Sequence, residues 1–95
     1  MNILITAATS AEAQRLKNKL VPAPVILGDY HDLPEFMKIT RLPNPASAAY
    51  VHEMLTLCLD KQIDTVYALR NEEITLLRLA EQLFKEYGIV IVHCQ

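Results

Sequence analysis

The sequence predicts an α/β fold: a five-stranded, mainly parallel sheet in the order 3-2-1-4-5, with three main helices on its two faces. Two observations predict it. Short aliphatic runs alternate along the chain with segments of helical period, and those runs are continuously apolar, as strands covered on both faces are. Right-handed crossovers then restrict the strand order.

The first strand is Asn2 to Thr6, β-branched and aliphatic. Thr9 and Glu12 have the spacing of a capping box, so the first helix runs from about Ser10 to Leu20. Its apolar side is thin, with Ala13, Leu16 and Leu20 inward and Arg15, Lys17 and Lys19 outward; Pro22 and Pro24 stop it. The second strand, Val25-Ile26-Leu27, ends at Gly28-Asp29. Leu33-Pro34-Glu35-Phe36 offers one helical turn with proline where its missing N–H costs nothing, and the third strand covers about Lys38 to Leu42.

Pro43-Asn44-Pro45 breaks the chain. Ser47 is then the expected N-cap of a helix whose apolar residues Val51, Met54, Leu55, Cys58 and Leu59 recur at helical spacing. Ile63 to Leu69 is the fourth strand. Asn71 is expected to cap the third helix, with Glu72 and Glu73 in the first turn, where the helix dipole favours carboxylates. Ile74, Leu77, Ala80, Leu83, Phe84 and Tyr87 supply its buried stripe. Gly88 stands where a left-handed C-terminal cap is needed, and Ile89 to Val92 is the fifth strand. The whole chain, 1–95, reads as a single domain.

In this order the last two helices cover one face, and the other face has only the first helix and the short segment from Tyr30 to Met37. That face is under-covered. A second copy or a partner chain is therefore expected on it or on a sheet edge, because an apolar patch beyond a few hundred Å² is unusual on a monomer.

Composition narrows the function. Hydrophobic residues make up 52% of the 95 residues and charged ones 21%, with a net charge of -2, which describes a globular domain and supplies no basic excess for nucleic acid. No 18-residue apolar run provides a membrane span, and the start is too briefly apolar and lacks the basic lead of a signal peptide, so the cytoplasm is the expected compartment. Cys58 and Cys94 have neither CxxC nor ligand spacing; both read as reduced thiols, Cys58 buried, with no metal.

Ligands of open parallel sheets bind beyond the carboxyl ends of the strands, which singles out Thr6 to Ser10, Asp29, Arg70 to Glu73, and His93. The places of a G-x-G-x-x-G fingerprint fall on Thr6, Ala8 and Ala11, and none is glycine, so the backbone clearance that a pyrophosphate needs is missing. Asp29 stands where a dinucleotide fold holds ribose hydroxyls; without the glycines it reads as a solvated loop carboxylate. Arg70-Asn71-Glu72-Glu73 sets a cation beside a helix start, an arrangement suited to a small anion, although a capped helix with first-turn acids accounts for most of it. No P-loop is present, and the acidic positions of a response regulator are not supplied by Thr6-Ala7-Ala8 or Leu42-Pro43. His31, His52 and His93 are far apart in sequence, with His52 expected on the outer surface of its helix; the four tyrosines are too dispersed for a base-stacking platform.

Taken together, Asn2 to Thr6 followed by Ser10-Ala11-Glu12, Leu42-Pro43 before a helix, Ile63 to Leu69 followed by Glu72-Glu73, and Phe84-Lys85-Glu86-Tyr87-Gly88-Ile89 resemble the N-terminal pre-ATP-grasp domain of the ATP-grasp ligase superfamily, in the manner of carbamoyl-phosphate-synthase large-subunit-like proteins. The resemblance covers essentially the full chain and rests on strands, caps and turns. It implies a Rossmann-like half-domain that packs against an ATP-grasp fold and helps to frame an acceptor-substrate site, at positions matching Ala8, Thr9 and Ser10 and Arg70 to Glu73. Family members commonly carry glycine in the first loop, where this chain has Ala7-Ala8-Thr9. The nucleotide-binding lysines and metal-binding carboxylates of the family belong to the ATP-grasp domain, not to this stretch.

The expected role is thus a non-catalytic module that oligomerises or binds a partner, free-standing or as part of a longer ligase, with no catalytic residue and no cofactor of its own. The alternatives are a carboxylate-amine ligase subunit active only with an ATP-grasp partner and, more weakly, a small-anion sensor. Candidate ligand-binding residues are Ala8, Thr9, Ser10, Asp29, Arg70, Asn71, Glu72 and Glu73.

Overall fold

The computed structural model describes residues 2–20, 22–30 and 39–93. Five strands, β1 (Asn2–Ile5), β2 (Val25–Asp29), β3 (Thr40–Arg41), β4 (Ile63–Ala68) and β5 (Val90–His93), form one sheet in the order β3-β2-β1-β4-β5. Every pairing is parallel. The helices are α1 (Ala11–Leu20), α2 (Tyr50–Asp60), α3 (Asn71–Leu79) and α4 (Glu81–Glu86). The fold is the Rossmann-like half-domain that the alternation of aliphatic runs and helical segments predicts. The expected turn at 33–36 and the start of the third strand at Lys38 lie outside the described residues.

The two faces of the sheet differ sharply. Strand alternation puts Leu4, Val66 and Ile91 side by side on one face, where they pack with Tyr50, Met54 and Cys58 of α2, Ile74 and Leu77 of α3, and Phe84 of α4 in a single core. The opposite face carries, by register, Val25, Ile3, Thr65 and Val90 in one row and Leu27, Ile5, Tyr67 and Val92 in the next. On that side the right-handed β1–β2 crossover places α1, whose only buried residue is Ala13. Ile5 and Ala13 are fully buried yet stand outside the main core. Toward β5 the cover runs out: Val90 is 56% exposed while its neighbour Ile91, on the core face, is 5% exposed. The under-covered face expected from the crossovers is present over β4 and β5 among the described residues.

Three caps differ from expectation. At α1 the capping oxygen belongs to Ser10, whose Oγ accepts the Ala13 N–H at 3.1 Å, and Thr9 is exposed. At α2 the helix begins three residues after Ser47, with Ala49 at the cap and no side-chain cap bond; the Ser47 carbonyl and hydroxyl instead build the preceding turn, and its Oγ donates to Glu53 Oε1 at 2.8 Å. At α3 the cap position is Arg70, in extended conformation, so Asn71 is the first helical residue. At α2 and α3 the neighbouring polar residue has another partner, Ser47 in the preceding turn and Arg70 on Asp29, whereas at α1 the cap simply falls one residue later.

The third helix is also two helices. Ala80 leaves helical geometry at φ -104 and ψ 10 and separates α3 from α4. Ile74, Leu77 and Phe84 all lie in the core, as the stripe predicts, while Tyr87, expected inside, is 55% exposed. Past α4, Gly88 adopts φ +78, its N–H donating to the Lys85 carbonyl and the Ile89 N–H to the Phe84 carbonyl, each at 3.0 Å. This double bond is the Schellman motif, and it turns the chain directly into β5.

No helix among the described residues is long and apolar enough to cross a membrane.

Candidate functional site

The carboxyl ends of β1, β2 and β4 converge, as expected, on Thr6, Asp29 and Arg70. What they build is a closed polar cluster. Asp29, the last residue of β2, is 1% exposed, which corrects its reading as a solvated loop carboxylate. Its burial follows from Arg70, which leaves β4 pointing back over the sheet end: one guanidinium nitrogen, Nη2, lies 3.1 Å from Oδ1 and 2.9 Å from Oδ2. The guanidinium carbon also sits 4.9 Å from the centroid of the Tyr30 ring, so the cation is held against a π face as well as an anion. The Thr6 hydroxyl accepts the Leu69 N–H at 2.9 Å and ties the end of β1 to the turn after β4.

Glu73 stands in the first turn of α3, as expected, but whereas its neighbour Glu72 is exposed it is fully buried. The signal was available, since Glu73 lies four residues before Leu77 and therefore on the inward side of α3. Its Oε2 accepts from the Tyr50 hydroxyl of α2 at 3.3 Å, and Oε1 has no hydrogen-bond partner among the described residues. Burial pushes the Glu73 carboxyl above the usual carboxylate range, and the negative charge of Asp29 adds to the rise; the hydroxyls of Thr6 and Tyr50 and the positive charge of Arg70 oppose it. The Tyr50 hydroxyl is raised in turn, by burial first and by Glu73 second.

A carboxyl raised on folding has a definite sign for stability. Below its unfolded value both states hold the proton and nothing is lost; as pH rises through the folded value, the unfolded chain releases the proton more readily and folding weakens. Glu73→Gln is therefore expected to flatten the fall in melting temperature predicted for the parent as pH rises from the unfolded value of this carboxyl through its raised folded value. Parallel thermal melts over that range check it, and an unchanged slope in the variant would assign the fall to other groups.

The first loop is closed as well. Ala7 takes the left-handed conformation at φ 52 that a glycine usually supplies. The Ala8 N–H, which would face a phosphate in a glycine-rich loop, donates to the Gly28 carbonyl at 3.1 Å, and the Ser10 N–H donates to the Ala7 carbonyl at 2.9 Å. The candidate residues thus fall in two groups: Ala8, Thr9 and Ser10 around the start of α1, and Asp29, Arg70 and Glu73 in the cluster, flanked by the exposed Asn71 and Glu72. His52 is exposed on α2, as its position suggested, and His31 and Cys94 lie outside the described residues. Cys58 is fully buried in the core, which pushes its thiol up to about 12, so it is inert as a nucleophile at neutral pH. No group of three or more His, Cys, Asp or Glu suited to a metal ion occurs among the described residues.

Compared with known proteins, the chain matches no family model and no curated sequence.

Proposed function

We propose that this chain is a non-catalytic, pre-ATP-grasp-like module that works by association, either with itself or with an ATP-grasp-domain protein, free-standing or as part of a longer ligase. The observation that carries the reading is the uneven sheet: Thr65, Tyr67 and Val92 are half-buried and Val90 is 56% exposed on the face opposite the core, with no described helix over β4 and β5. An apolar sheet face is covered in α/β folds, and a partner provides the cover here. The carboxyl end of the sheet supports the same reading, because the place where a ligand would sit is occupied by the chain's own Asp29, Arg70 and Tyr30. An anion sensor is the weaker reading, since the charge of Arg70 is balanced by Asp29.

Native mass spectrometry of the chain alone, and mixed with an ATP-grasp-domain protein, tests this. A complex in at least one of the two samples is expected, and Thr65→Lys, which sets a charge in the middle of the uncovered face without touching an edge strand, is expected to disperse it. A single-chain mass in both samples, or a complex indifferent to Thr65→Lys, overturns the reading.

A further inference from the structure

The bare part of the sheet is a trough with one wall. Paired strands stand about 5 Å apart, so the strip formed by β4 and β5 is about as wide as one helix. Its floor is Thr65, Tyr67, Val90 and Val92, and beside it rises α1, which the β1–β2 crossover places over those two strands. A second sheet laid flat on this side would meet α1, about 10 Å thick, before it met the floor. A single helix fits.

Which flank of α1 forms the wall follows from Gln14. Its Nε2 donates to the Ala8 carbonyl at 3.4 Å, and the Ala8 N–H donates to the Gly28 carbonyl of β2. Gln14 and, one turn on, Lys17 therefore lie toward β2. At about 100° per residue from the buried Ala13, the opposite flank carries Glu12, Leu16 and Lys19, so these face β4. Leu16 is half-buried; Glu12 and Lys19 are exposed, and neither is in an ion pair among the described residues. The wall is thus acidic toward the carboxyl end of the sheet, basic about 10 Å away, and apolar between.

We propose that the trough seats one amphipathic helix of a partner chain, antiparallel to α1, with its apolar stripe on the floor, acids of its first turn beside Lys19 and bases of its last turn beside Glu12. This rests on the association reading above and gives it an occupant. Antiparallel neighbours oppose their dipoles, and a helix favours acids at its start and bases at its end on its own account, so charge and orientation agree. A second copy does not fit. Brought over the trough by a two-fold along the strands, its α1 would run parallel and set Lys19 against Lys19 and Glu12 against Glu12. It would also turn the exposed Arg15 and Asn18 onto an apolar floor.

The probe is a synthetic peptide of about 18 residues with leucines at helical spacing, glutamates in its first turn and lysines in its last, labelled for fluorescence anisotropy. It is expected to bind the parent chain and to gain helical circular dichroism on binding. Thr65→Lys, in the floor, is expected to abolish binding. Lys19→Glu is expected to weaken it about threefold at low salt, whereas Lys17→Glu, the same change of charge on the β2 flank, is expected to leave it unchanged. Thermal melts establish that each variant folds. A nitroxide on the first residue of the peptide is expected to broaden the Lys19 and Val90 amides more than those of Glu12 and Val92. No binding to the parent, binding that survives Thr65→Lys, equal effects of Lys17→Glu and Lys19→Glu, or broadening centred on Glu12 overturns the proposal. The association reading is then decided by its own mass measurement. A dimer of the chain alone that Thr65→Lys disperses keeps that reading and overturns this occupant.

Discussion

Arg70→Ala is expected to lower folding stability by about 3–5 kcal/mol, the range for stripping one partner from a buried ion pair. The magnitude follows from the asymmetry of the pair. The Arg70 side chain is 24% exposed and reaches solvent, but the Asp29 side chain is 0% exposed and does not. Removing the guanidinium takes two close contacts from a carboxylate that the fold buries, and it also removes the cation from the Tyr30 ring. A domain of this size has a total stability of about 5–15 kcal/mol, so the variant stands near the edge of folding. Urea unfolding measures the loss as a fall in midpoint at constant slope. Asp29→Asn combined with Arg70→Met, which removes both charges together, is expected to recover a substantial part of it. A loss under about 1 kcal/mol for Arg70→Ala would instead class the pair with exposed surface bridges.

Gly28→Ala is expected to destabilise by about 1–3 kcal/mol, the cost of overpacking a filled core. The glycine lies in β2 where an added Cβ would stand 2.7–2.9 Å from the Cδ2, Cγ and Cδ1 atoms of Leu42. Leu42 is 3% exposed and belongs to the main core, so it cannot swing away without opening space elsewhere. The entropy that alanine removes from the unfolded chain favours the variant by only about 0.4–1 kcal/mol, too little to reverse the sign. The same urea measurement reads it. Adding Leu42→Val, which shortens the side chain in the way, is expected to restore part of the loss; strictly additive costs would show that the two positions do not press on each other.

The strands and their order were legible because both rest on strong local signals: continuous aliphatic runs such as Ile89 to Val92, and prolines and glycines between elements. The buried cluster was not legible, because its partners are distant in sequence. Asp29 and Arg70 are 41 residues apart and Tyr50 and Glu73 are 23 apart, and a lone carboxylate near a loop or a helix start reads as solvated until its partner is placed. Glu73 was half legible through its spacing to Leu77. The break at Ala80 carried no signal at all, since neither glycine nor proline marks it.

The Schellman ending at Gly88 fixes more than a helix terminus. Because the Phe84 and Lys85 carbonyls hold the Ile89 and Gly88 amides, and Phe84 is fully buried, α4 and β5 move as one body anchored in the core. The direction in which the chain enters β5 is thus set by the end of α4. A side chain at Gly88 would have to take the left-handed conformation at φ +78, so a substitution at this one position is felt in the strand as well as in the helix.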